Sequence, residues 1–234
     1  MPPLRESLEH RPVKPIGVLE SSAVSASPRF LEATEVVDFD EPSVRALASE
    51  LASSRSTPTE IARACFEWVE SRILHTSDHA LDPVTCSASE VLRYGTGYCY
   101  AKSHLLVALL RAAGIPAGFS YQRLATDTGH CLHGLAAVCL PDLGWYRVDP
   151  RGARPDLRAA FDPPREVLPF APNAPGELDF RGVWAAPEPR VVRALRAHRT
   201  RHELEARFPD ALELTPPDVE LPGPERSGAA RQPP

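Results

Sequence analysis

The run from Ala101 to Ala113 constrains this chain most, because Ala101, Leu105, Leu106, Val107, Ala108, Leu109, Leu110, Ala112 and Ala113 leave a helix almost no polar face. Such a helix is buried in the protein rather than laid on its surface. Gly114 supplies a C-terminal cap, and Pro116 stops the helix just beyond it. At its other end, Gly95-Thr96-Gly97-Tyr98-Cys99 releases the chain into the helix and leaves a thiol on the first turn. A helix N-terminus carries roughly half a positive charge together with unpaired N–H groups, so it favours thiolate over thiol. Cys99 therefore reads as a nucleophile, against the plainer alternative of a buried structural thiol.

Composition limits what such a thiol serves. The chain has 234 residues, 43% hydrophobic and 24% charged, as expected of one catalytic-sized globular domain with tails. A formal net charge of −5 gives no reason to expect nucleic acid or an anionic membrane as partner. No segment approaches the roughly 20 apolar residues of a membrane span. Met1-Pro2-Pro3-Leu4-Arg5-Glu6-Ser7 has no apolar signal stretch, so a cytoplasmic location is expected. Cys65, Cys86, Cys99, Cys131 and Cys139 are odd in number and irregular in spacing, which fits reduced thiols.

Residues 1–27 are broken by prolines and read as an N-terminal extension, and the Pro-rich stretch 208–234 reads as a disordered tail. Between them, Val44, Leu47, Ala48 and Leu51 recur at helical spacing after Glu41-Pro42. Thr57-Pro58-Thr59-Glu60 and Ser87-Ala88-Ser89-Glu90 are capping boxes that open two further helices, the first carrying Cys65 on its apolar stripe as a core residue. Strands are expected at 117–124, 133–140 and 145–149, the last two joined at Pro141-Asp142-Leu143-Gly144. Residues 153–187, rich in proline and aromatics, form a long irregular wrap, and a last helix at 189–207 carries a basic, solvated face.

A cysteine nucleophile needs a base, and the base an orienting group. His133 and Asp149 lie equidistant from Pro141, so a hairpin centred there with a loop of about five residues sets them directly opposite each other, Cβ atoms about 4.5–5.5 Å apart. His130 falls on the other face. The Cys99 backbone N–H is a natural oxyanion donor, and Gln122, Tyr121 or Trp68 is a candidate second one. The rival reading is zinc, from His130-Cys131-Leu132-His133 with His75 and His79, but no Cys-x-x-Cys occurs. No metal or cofactor is expected.

Gly97-Tyr98-Cys99, Leu109-Leu110-Arg111-Ala112-Ala113-Gly114-Ile115-Pro116, His133 and Gly144-Trp145-Tyr146-Arg147-Val148-Asp149-Pro150, in that order, resemble the core of the transglutaminase-like superfamily over 57–152. The resemblance implies an α+β fold of papain/transglutaminase-like type, with N-terminal helices and the nucleophile helix packed on an antiparallel β-sheet. It makes 28–207 one such domain, with Cys99 as nucleophile, His133 as base and Asp149 as orienting carboxylate. Leu135 stands where many members have an aromatic residue, and Tyr98 where many have an acidic one. The Arg-Gly-Gly lead of the arylamine N-acetyltransferase branch is missing. The expected function is cysteine-dependent acyl transfer from a protein or peptide amide, by hydrolysis rather than cross-linking. The alternative is a binding or scaffold module that keeps the fold without turnover.

Overall fold

A computed structural model describes residues 26–152, 154, 157–213 and 216–222. Among the described residues, three α-helices precede the nucleophile helix. Helix α1 (Pro42–Ala52) and α2 (Pro58–Arg72) each begin at proline, and α2 is closed by the Thr57–Glu60 capping box read from the sequence. A two-residue strand β1 (Leu74–His75) leads to α3 (Ala88–Tyr94), which starts at the Ser87–Glu90 capping box and ends at Gly95, whose φ of 66° is a left-handed conformation that suits glycine. Strand β2 (Thr96–Gly97) pairs in parallel with β1 and runs straight into α4 (Cys99–Ala112).

Every residue of α4 from Cys99 to Arg111 is buried, as its sequence requires. The helix is enclosed by α1, α2 and α3 on one side and by the sheet on the other. That sheet is antiparallel, in the order β5-β4-β3-β8-β9, from strands β3 (Ala117–Thr126), β4 (Gly129–Leu140), β5 (Gly144–Val148), β8 (Leu178–Trp184) and β9 (Val219–Glu220). Strands β6 (Ala160–Asp162) and β7 (Arg165–Val167) form a separate hairpin. The fold is thus mixed α and β, with the cysteine helix on an antiparallel sheet. Among the described residues no helix is long and apolar enough to cross a membrane.

Four expectations are corrected. The β4–β5 hairpin pairs Leu140 with Gly144 and Ala136 with Val148, so its centre is Asp142 rather than Pro141 and its loop is Pro141-Asp142-Leu143. Asp142 adopts φ 63°, a conformation asparagine and aspartate tolerate best among non-glycine residues. The 153–187 wrap is not irregular throughout, since Leu178-Asp179-Phe180-Arg181-Gly182-Val183-Trp184 enters the central sheet beside β3. The helix expected at 189–207 is two, α5 (Pro189–Ala197) and α6 (Arg201–Glu205), because His198 is extended and Thr200 with Glu203 starts a new capping box. Within the tail expected from 208, the described residues 208–213 and 216–222 are tied to the domain: the Leu132 N–H donates to the Pro209 carbonyl at 2.7 Å, and Val219 pairs with Val183. Apart from Ala26 and Ser27, the expected N-terminal extension lies outside the described residues, as does 223–234.

A buried arginine ties the irregular segment to the sheet. Arg147 on β5 is 1% exposed and holds Asp179 on β8 through two hydrogen bonds of 2.6 and 3.0 Å, and Glu166 on β7 at 2.9 Å. The planar guanidinium suits this paired carboxylate geometry.

Candidate active site

Cys99 is the first residue of α4, behind Tyr98 as N-cap, and no described side chain caps that end. Its sulfur lies against β4, where the Gly134 N–H donates to it at 3.5 Å. This approach depends on glycine, because a Cβ at position 134 would sit 2.8 Å from Tyr100 Cδ1 and 3.1 Å from Tyr100 Cα. The Tyr100 hydroxyl donates to the Leu132 carbonyl, so the first turn of α4 is fastened to the same strand.

His133, beside Gly134, donates from Nε2 to Asp149 Oδ2 at 2.6 Å, which leaves Nδ1 for its interaction with the Cys99 thiol. The other carboxylate oxygen of Asp149 accepts the Arg151 backbone N–H at 2.8 Å. Both residues are buried, Asp149 completely. The structure therefore brings Cys99, His133 and Asp149 together, although the expected direct pairing does not occur. In the observed register Leu135, not His133, is the residue across from Asp149, which follows directly after β5. Moving the hairpin centre by one residue moves the cross-strand partner by two, and the period of two leaves the side chain on the same face. Asp149 reaches His133 as its diagonal neighbour.

Electrostatics follow from this packing. Burial pushes the Cys99 thiol up, but the charge and hydrogen bonding of His133, joined by those of His75, more than offset it and bring the pKa down to about 6. Burial acts on His133 in the opposite sense, and the negative charges of Asp149 and Cys99 raise it to about 10. A thiolate–imidazolium pair is the result, in which the nucleophile is already ionised near neutrality.

Gln122, the expected second oxyanion donor, is engaged with another acceptor. It is the cross-strand partner of His133, but its Nε2 donates to the Phe170 carbonyl at 3.3 Å and it does not line the cleft. Tyr121 is likewise committed, its hydroxyl accepting the Glu188 N–H at 2.7 Å. His130 turns away toward the Pro175 carbonyl, 3.1 Å from Nε2, so it shares no site with His133. Among the described residues no group of three His, Cys, Asp or Glu side chains is placed to hold a metal ion.

Several residues of the site were not singled out for it in the sequence. Phe170, from the wrap, packs edge-on against the His133 ring at 4.8 Å between centroids. Lys102 is buried one turn into α4, and its ammonium donates to the carbonyls of Ile73 and, at 3.0 Å, Arg151. Burial lowers it to about 8. A lysine inside an otherwise apolar helix was the signal for this buried tether. His75, read as half of a metal pair with His79, instead lines the cleft beside Cys99, and its His-x-x-Asp spacing to Asp78 was the feature to notice.

A thiol at a buried helix start, beside an imidazole held by a carboxylate, on an antiparallel sheet, defines a papain-like cysteine architecture. The family model for the transglutaminase-like superfamily matches residues 45–150, the stretch that carries Cys99, His133 and Asp149. Among solved structures the chain is similar to a candidate cysteine protease from Cytophaga hutchinsonii, at 20% identity and TM-score 0.43, covering 52% of this chain and 40% of that one. It is also similar to the periplasmic domain of TgpA from Pseudomonas aeruginosa, at 24% identity and TM-score 0.41, covering 54% of this chain and 48% of that one. The chain spans less than half the length of either structure. No curated protein matches it.

Proposed function

We propose that the chain is a cysteine-dependent acyl-transfer enzyme acting on a protein or peptide amide, with water as the usual acceptor. The observation that carries this reading is the Cys99 sulfur at the start of α4 with His133 beside it, the imidazole locked to Asp149 at 2.6 Å. The Cys99 thiolate attacks the amide carbonyl, forming a C–S bond while the carbonyl electron pair moves to oxygen. The His133 imidazolium gives its Nδ1 proton to the departing amine as the C–N bond breaks, leaving a thioester on Cys99. Neutral His133 then takes a proton from water, which attacks the thioester and releases a carboxylic acid and the thiolate. Asp149 holds the ring orientation and stabilises the imidazolium throughout. A cleft of about 550 Å³ opens over these groups, enough for a side chain and adjoining peptide. The five free cysteines support a reducing, cytoplasmic setting for this chemistry.

The test is to trap the acyl group. Protein exposed to p-nitrophenyl acetate, and separately to a casein digest with and without a fluorescent primary amine, is read by mass spectrometry. The expected result is an acyl adduct on Cys99 that Cys99→Ala abolishes, with new carboxylates released and no amine incorporated. Amine incorporation would make it a cross-linking enzyme. A wild-type Cys99 that neither acylates nor alkylates faster than an ordinary thiol would overturn the enzyme reading and favour a binding module.

A further inference from the structure

We propose that His75 is a second catalytic imidazole of this site, donating from Nε2 to the developing oxyanion alongside the Cys99 backbone N–H, with Asp78 and Arg151 holding its ring in place. The inference rests on the acyl-transfer reading above and supplies the donor that Gln122 does not.

Placement comes from the backbone. Strand β1 pairs with β2 so that His75 lies alongside Gly97, two residues ahead of the nucleophile, and the Thr76 N–H donates to the Gly97 carbonyl at 3.2 Å. The ring is 8% exposed, stands edge-on to Tyr98 at 5.7 Å, and lines the same cleft wall as Cys99 and His133. Its Nδ1 is turned to Asp78 Oδ1 at 3.6 Å and has no hydrogen-bond partner among the described residues. That leaves Nε2 as the nitrogen available to the cleft.

Asp78 is not loose. Its Oδ1 accepts from Arg151 at 2.8 Å and Arg154 at 3.3 Å. Arg151 also donates its backbone N–H to Asp149, so one residue braces both carboxylates and, through them, both imidazoles that flank the sulfur. His75 contributes to holding Cys99 as thiolate. A donor on the cleft wall beside the nucleophile is placed to meet the oxygen of a carbonyl bonded to that sulfur, and charge that develops on the oxygen is what a fixed donor stabilises.

The chain also shows what a structural histidine looks like. His104, wholly enclosed in α4, spends Nδ1 on the Cys86 carbonyl at 2.7 Å, and burial holds its pKa down at about 4. His75 has a ring nitrogen without a hydrogen bond among the described residues, a carboxylate facing it, and a cleft on its other side.

The experiment separates nucleophile from oxyanion. Two variants keep bulk at the position: His75→Phe has a ring without a donor, and His75→Gln has a donor without a ring. Each is assayed for the p-nitrophenolate burst with p-nitrophenyl acetate, which requires a tetrahedral oxyanion, and for alkylation by iodoacetamide on its alkaline plateau, which does not. The expected result is a burst rate about 100-fold lower in His75→Phe and mostly restored in His75→Gln, with plateau alkylation within about threefold of wild type in both. Asp78→Asn, at an exposed position on the cleft edge, is expected to lower the burst about tenfold by releasing the ring, and it decides the matter if neither position-75 variant folds. Equal loss of burst and alkylation, or an unchanged burst in His75→Phe or in Asp78→Asn, overturns the proposal. Failure of wild-type Cys99 to react at all would instead overturn the acyl-transfer reading on which it rests.

Discussion

Replacing Asp149 by asparagine changes one charge and almost no volume, so its effect can be worked from the geometry. The wild-type carboxylate lies 2.6 Å from His133 Nε2 with no solvent on it. Both charges are spread over several atoms. For an effective separation of about 4 Å and a dielectric of about 20, the attraction is about 4 kcal/mol. Since one pKa unit corresponds to about 1.4 kcal/mol, the imidazolium loses about three units of stabilisation. The balance between thiolate–imidazolium and thiol–imidazole therefore moves about 1000-fold toward the unreactive form. The amide of the Asp149→Asn variant keeps an oxygen for the Arg151 N–H, bonded at 2.8 Å in the wild type, so its amide hydrogens are turned to His133 and favour the tautomer protonated on Nδ1. That tautomer cannot take a proton from Cys99. The assay is the p-nitrophenyl acetate burst together with the pH profile of iodoacetamide alkylation, with a denaturation curve to confirm folding. Burst kinetics about 1000-fold slower, an alkylation limb moved to higher pH, and stability within about 1 kcal/mol of wild type are expected, because exchanging a buried ion pair for a neutral hydrogen-bonded one is nearly neutral for stability. A folded variant within tenfold of wild type in the burst, with an unmoved pH profile, would refute the ion-pair argument.

Other outcomes follow from the same geometry. In the wild type, alkylation of Cys99 should rise as pH passes upward through about 6, where the thiol ionises, and acyl transfer should fall above about 10, where His133 loses its proton; His133→Ala should move the alkylation limb up to at least the ordinary cysteine value of about 8.5. Gly134→Ala puts a Cβ 2.8 Å from Tyr100 Cδ1 and 3.1 Å from its Cα, so chemical denaturation should show a loss of about 1–3 kcal/mol together with slower alkylation. An unchanged denaturation midpoint would mean that α4 and β4 are not so closely opposed. Lys102→Met keeps the length of the side chain but leaves the Ile73 and Arg151 carbonyls without their charged donor, and should cost about 1.5–3 kcal/mol by the same measurement.

Local patterns were legible where one residue type answers one local need. The capping boxes at Thr57 and Ser87 close the first turns of α2 and α3 because each side chain and backbone N–H satisfies the other within four residues. The same device at Thr200-Arg201-His202-Glu203 was present in the sequence and divides α5 from α6. Strand β8 also carried a short readable alternation, Leu178 and Phe180 against Asp179 and Arg181, although the prolines around it suggested an irregular wrap. The hairpin register was read one residue off, because turn length depends on Asp142 accepting a left-handed conformation.

By itself, the sequence determined a buried helix opening on a thiol, and a hairpin that keeps His133 and Asp149 on one face with a loop of three or of five residues, though a one-residue slip would part them. Only the tertiary structure decided that His75, Asp78, Arg151 and Phe170 line the same cleft as Cys99, and that Gln122 donates to the Phe170 carbonyl. The division has a physical cause. Helix caps and strand alternation are set by neighbours a few residues apart, whereas His75, Cys99, His133 and Arg151 meet through a short parallel ladder and the packing of α4 on β4, contacts between distant parts of the chain that leave no periodicity along it.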